Sequence, residues 1–114
     1  MKMDELIEQL RVFATERDWE QFHSPKNLSM ALVVEATELL EHFQWLTEEQ
    51  SRDLDQQTLD NVKQEIGDTL IYLVRLADQL HIDPLLAAEQ KLRINAEKYP
   101  VEKAKGSAKK YTEF

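Results

Sequence analysis

Apolar positions recur along this chain at spacings of three and four, the signature of helices that bury one stripe. Leu6, Ile7, Leu10, Val12, Phe13 and Ala14 make such a stripe and predict a first helix from about Asp4 to Arg17. A connector through Trp19, Phe22 and His23 leads to Ser24-Pro25, where Ser24 suits a helix cap and Pro25 a first turn. The second predicted helix runs from there to about Trp45 or Leu46. Between Leu28 and Leu40 it is apolar on nearly every side, so it is expected to be the buried one. Thr47-Glu48-Glu49-Gln50 has the form of a capping box and predicts a short turn or frayed helix. The polar stretch Ser51 to Thr58 is expected to be exposed and variable. A third helix is predicted from about Leu59 to His81. Asp83-Pro84 opens a fourth, which Pro100 ends after about Tyr99.

Composition agrees with this pattern and narrows it. Among 114 residues only 2 are Gly and 3 are Pro, which favours an all-α chain. The expectation is one domain over residues 1–114, a four-helix, bundle-like protomer whose basic tail from 100 to 114 is either ordered or partly disordered. A bundle of this size has a thin core, so assembly into a dimer or dimer of dimers is expected. The formal charge of −8 speaks against a nucleic-acid groove but not against nucleotides, because cations can screen a triphosphate from acidic residues. With no cysteine, disulfides and thiol chemistry are excluded. Met-Lys-Met-Asp-Glu leads straight into an amphipathic helix rather than a signal peptide, and no apolar run suits a bilayer. A cytoplasmic protein without a membrane partner is the expectation.

Two pairs of acids break the apolar pattern. Glu35 and Glu38 stand three apart in the second helix, and Glu65 and Asp68 three apart in the third. Residues at that spacing are neighbours on a helix. Glu35 shares its face with Leu28, Ala31, Leu32 and Leu39, and Glu65 and Asp68 share theirs with Val62, Tyr72 and Leu76. Neither face is read as holding a Lys or Arg. Unpaired charges in an apolar seam are costly, and a cation offsets them. Four hard oxygen donors suit Mg²⁺, with Mn²⁺ possible. A di-iron bundle needs E-x-x-H pairs. Here Glu38 is followed at that spacing by Glu41 and Asp68 by Ile71. Gly67, between Glu65 and Asp68, either admits a close backbone or ligand or is simply tolerated.

With these acids in place, the chain resembles the MazG-like all-α nucleoside triphosphate pyrophosphohydrolases, and within them the dCTP pyrophosphatase branch. The resemblance rests on the two acid pairs and on a series of segments in order. These are Arg17 to His23, Pro25 to Leu28, Phe43-Gln44-Trp45, Asp68 to Leu73, Lys98 to Val101 and Lys105 to Thr112. Val34, Ala36 and Thr37 depart from it, where relatives often carry Gly or other small residues. The resemblance implies Mg²⁺-dependent hydrolysis of a (deoxy)nucleoside triphosphate to the monophosphate and pyrophosphate, of dCTP-like or modified deoxynucleotides, as nucleotide-pool house-cleaning. It also implies pockets built from two protomers.

On that reading Glu38, Glu65 and Asp68 hold the metal, while Glu35 is a further ligand or, preferably, the base for the attacking water. The resemblance places Trp19, His23, Trp45 and Tyr72 at the base and sugar, and Lys91 and Asn95 near the nucleotide. Lys98 shares a helix face with Lys91 and Asn95 by its spacing. Blander readings compete for each. An E-x-x-E pair is commonly a solvated surface, Trp45 and Phe22 suit a core, and His23 and Lys98 suit an exposed face. His42 and His81 are assigned no role. The rival function is a non-catalytic helical interaction module in which the acids form a structural metal site.

Overall fold

The computed structural model describes residues 1–114 and is entirely helical apart from turns and connectors, so the expected all-α class holds. Its helices are α1 (Met3–Glu16), α2 (Pro25–Glu41), α3 (Glu48–Ser51), α4 (Gln56–Gln79), α5 (Pro84–Lys98) and α6 (Val101–Ala104). Single 3₁₀ turns cover Glu20–Phe22 and Tyr111–Glu113. The chain divides into two compact units, Met1–Ile82 and Asp83–Phe114.

In the first unit α2 packs along α4, and α1 lies against α4 as well. Local chemistry sets the ends of these helices. The Ser24 hydroxyl accepts from the Asn27 N–H at 3.1 Å, and Pro25 opens α2, as the sequence suggests. Thr47 and Gln50 close a reciprocal capping box on α3, with bonds of 3.1 and 2.9 Å.

Two boundaries differ from the sequence reading. α4 begins at Gln56 rather than Leu59, because the Asp55 carboxylate accepts the Thr58 N–H at 2.7 Å and starts the helix earlier. That bond also lowers the Asp55 pKa. α2 ends at Glu41, not Trp45 or Leu46. The amides of Phe43 and Gln44 both turn back to the Leu40 carbonyl, at 2.8 and 2.9 Å, and Leu46 N–H bonds Phe43 at 2.9 Å. This self-bonded turn takes Trp45 out of the helix.

Burial of α2 also differs from expectation. Leu28 is its only fully buried residue. Met30, Val34 and Leu40 are exposed, and Val33 is 64% exposed. Within one chain α4 covers one side of α2, so a helix that is apolar all round keeps an uncovered side. Gly67 meets no close neighbour either, for nothing lies within 4 Å of where its Cβ would be.

The second unit opens with Asp83, whose carboxylate accepts from the Leu85 and Leu86 amides at 3.0 Å each and caps α5. The tail returns toward the end of α5, where Tyr99 meets Tyr111 and Phe114 edge-on at 5.9 and 5.8 Å between ring centres. Gly106 turns the tail with φ at +74°, a conformation that suits glycine.

Candidate active site

α2 and α4 bring three of the four acids together. Glu35, Glu38 and Glu65 each offer an oxygen within 4.8 Å of the others. Oε2 of Glu35 and Oε2 of Glu65 are buried and have no hydrogen-bond partner. The cluster strains against its own charge. Burial, followed by the hydrogen bond and charge of Glu38 and the charges of Asp68 and Glu65, pushes the Glu35 pKa up to about 6. Burial is also the leading cause that raises Glu65, with Glu38 next. His42 Nε2, 4.0 Å from Glu65 Oε1, opposes that rise. Buried oxygens without donors, repelling one another at this range, fit a hard divalent cation well.

Asp68 stands outside this tight trio. It is exposed and acts on Glu35 and Glu65 through its charge. It also forms part of the wall of a cavity of about 220 Å³, together with Trp19, His23, Tyr72 and Arg75. The acid cluster and the cavity therefore meet at Asp68. The volume lies below the roughly 300–1,000 Å³ common for drug-sized ligands.

The aromatic wall owes its shape to the end of α1. Asp18 adopts a left-handed conformation, φ 53°, and the Trp19 N–H returns to the Ala14 carbonyl at 2.9 Å. The indole then meets Phe13 edge-on at 5.7 Å and the His23 ring at 6.2 Å. Tyr72 lies one turn beyond Asp68 on α4. Three of the four aromatic or imidazole candidates thus share one cavity.

The fourth, Trp45, does not join them in this chain. It is 87% exposed, which also overturns its reading as a core residue, and Phe22 is exposed as well. Lys91, Asn95 and Lys98 belong to the second unit. There Lys91 is exposed, the Asn95 carbonyl accepts the Tyr99 amide at 2.8 Å, and the Lys98 ammonium sits 4.8 Å from the Tyr111 ring centre.

Sequence reasoning missed Arg75. It lies seven residues after Asp68, two turns along the same face, so that face does carry a cation. Arg75 is only 3% exposed. Its Nη1 is 3.6 Å from Asp78 Oδ2, its Nη2 3.4 Å from His23 Nδ1, and its Nε has no partner. Asp78 is itself gripped by Arg11, whose Nε and Nη2 donate to its two oxygens at 2.8 and 2.6 Å. That grip is the main cause of a lowered Asp78 pKa. His42 was missed too. Its position four residues after Glu38 was the available signal.

Known proteins resemble this chain in sequence and in fold. Residues 30–114 match the MazG-like family. Over 104 residues the chain is 46% identical to dCTP pyrophosphatase 1 of Rattus norvegicus and 46% identical to that of Homo sapiens. Those alignments take in 90% of this chain but 61% of each relative, so the chain spans less than two thirds of their length. A crystal structure of a pyrophosphatase from Archaeoglobus fulgidus DSM 4304 matches with a TM-score of 0.82 and 39% identity, over 86% of this chain and 92% of that one. In sequence and in fold, this chain belongs to the MazG-like family.

Proposed function

We propose that this protein hydrolyses (deoxy)nucleoside triphosphates to the monophosphate and pyrophosphate with Mg²⁺, Mn²⁺ serving as a substitute, and that dCTP-like or modified deoxynucleotides are its substrates. The observation that carries the reading is the junction at Asp68, where an acid cluster with unpartnered buried oxygens meets an aromatic cavity. A structural metal site has no use for that cavity. The pyrophosphatase name of the similar proteins points the same way.

Glu38, Glu65 and Asp68 would hold the cation, with Glu35 beside them. When bound, a divalent cation neutralises phosphate oxygens and acidifies water. Glu35 would be the proton acceptor for the attacking water, from its place beside Glu38 and Glu65. As water adds to phosphorus, its proton passes to Glu35 and the bond between the α and β phosphates breaks, releasing pyrophosphate. Trp19 and Tyr72 would flank the base, and the apolar wall would exclude water around it. Trp45, exposed on its turn, would complete a pocket in a neighbouring protomer. Lys91, Asn95 and Lys98 would contact the phosphates.

The uncovered apolar side of α2 supports assembly into a dimer or dimer of dimers. No helix is long and apolar enough to cross a membrane. A cytoplasmic setting, with neither a nucleic-acid nor a membrane partner, is part of the proposal. The test is pyrophosphate release from a panel of NTPs and dNTPs, with Mg²⁺ and then with chelator. Metal-dependent release confined to a few deoxynucleotides is expected. Folded, metal-loaded protein that releases none would overturn the assignment in favour of an interaction module.

A further inference from the structure

We propose that Arg75 is a positioning residue of the nucleotide slot, holding His23 with its Nδ1 lone pair toward the guanidinium so that the ring offers Nε2–H to the base. The inference rests on the nucleotide reading above and adds how the base is read. Arginine has only donors. Arg75 Nη2 is 3.4 Å from His23 Nδ1, and the contact is attractive only when that nitrogen carries no proton. A neutral ring then keeps its single proton on Nε2. The opposite tautomer would set N–H against N–H. Burial and the Arg75 charge both lower the His23 pKa, in keeping with a neutral ring.

The position of Arg75 suits this task. Asp68, Tyr72 and Arg75 follow at i, i+4 and i+7 on α4, and all three border the same cavity. At a rise of 1.5 Å per residue, Arg75 stands about 10 Å along the axis from Asp68. If the phosphates lie at the acid cluster, the base lies toward Arg75.

The guanidinium is under-used where it stands. Asp78 already serves Arg11 with both oxygens, so its 3.6 Å separation from Arg75 Nη1 is longer than a hydrogen bond. Arg75 Nε is buried without a partner. Nε and Nη2 lie on one edge of the guanidinium, and an unpaired buried donor gains from an incoming acceptor. Between them, Arg75 and His23 make a wall of donors. Such a wall favours a base with adjacent acceptors on its edge, as O2 and N3 of cytosine are, over thymine or uracil, which place N3–H there.

Long-range proton–nitrogen correlation spectra of the ¹⁵N-labelled protein test this without any nucleotide. His23 is expected as a single tautomer with the proton on Nε2, and Arg75→Lys, which keeps a donor, is expected to preserve it. In Arg75→Met the ring should become a mixture of tautomers. The KM for dCTP should rise about tenfold with kcat within about twofold, and the preference for dCTP over dTTP should shrink. A wild-type ring protonated on Nδ1, or an Arg75→Met variant with unchanged tautomer and KM, overturns the proposal. Should Arg75→Met fail to fold, the wild-type and Arg75→Lys spectra decide. Absence of turnover from every nucleotide would instead remove the functional reading, while the tautomer still decides the Arg75–His23 link.

Discussion

α4 carries two charge clusters a few turns apart, and they are balanced in opposite ways. At one, Glu65 faces Glu35 and Glu38 with no Lys or Arg in the group, two oxygens are orphaned, and the Glu35 and Glu65 carboxyls hold their protons more tightly than usual. At the other, Asp78 is bound by two bonds from Arg11 and attended by Arg75, and its carboxyl gives up its proton more easily than usual. At the second, the Asp78 carboxylate is paired within the chain and ties α1 to α4. The first leaves buried carboxylate oxygens unpaired within the chain. Opposite pKa directions on one helix thus separate an acid paired within the chain from acids that repel one another.

Glu38→Gln and Asp68→Asn press hardest on this contrast. Each should lower Mg²⁺-dependent pyrophosphate release by roughly a thousandfold, about 4 kcal/mol of barrier. Each should also leave the thermal midpoint of metal-free protein unchanged or higher, since each removes repulsion. Activity retained in both variants, measured beside their unfolding curves, would break the assignment of the first cluster.

Asp78→Asn should do the reverse. Removing the Asp78 charge loses its bonds from Arg11 and leaves the buried Arg75 without its counter-charge, so stability should fall. A urea unfolding curve should show that loss. Were Asp78→Asn as stable as the parent, the two clusters would not differ in kind.

These acids were legible in the sequence because spacing on a helix dictates which side chains are neighbours. Glu35, Glu38, Glu65, Tyr72 and the all-α class follow from periodicity of that sort. Arg75 shares Asp68's face by the same rule, yet its role depends on Asp78 being taken by Arg11, 67 positions away in sequence. No local pattern encodes that competition. The end of α2 was hidden because His42 to Leu46 contains no Gly or Pro, and its turn is held by backbone bonds alone. Burial of α2 was misread because periodicity shows that a face is apolar without showing what covers it.

Protons sharpen the contrast further. The Glu35 carboxyl binds its proton more tightly folded, with a pKa of about 6, than at its ordinary 4.5. At this group the folded state therefore carries more protons between these values, and its contribution to stability falls as pH rises through them. Asp78, shifted the other way, contributes stability that is lost only as pH drops below the ordinary carboxylate range. Metal-free protein should thus lose stability between pH 4.5 and 6, while Glu35→Gln flattens that part of the profile. Saturating Mg²⁺ should do likewise, by favouring the charged carboxylates. A parent profile that coincides with the variant's through this window would show that Glu35 is not strained.

Gly67→Ala has the smallest effect and tests the space beside the incomplete cluster. The glycine sits mid-helix between Glu65 and Asp68, with nothing within 4 Å of an added Cβ. Alanine in a helix interior is favoured by about 1 kcal/mol over glycine, because it loses less backbone freedom on folding. In metal-free protein the thermal midpoint should therefore rise by several degrees. The space is open in one chain, so a lower midpoint would mean that a neighbouring copy fills it. Concentration then separates the cases: a cost that grows as the protein is concentrated identifies the second copy, and a gain independent of concentration leaves the cluster facing solvent.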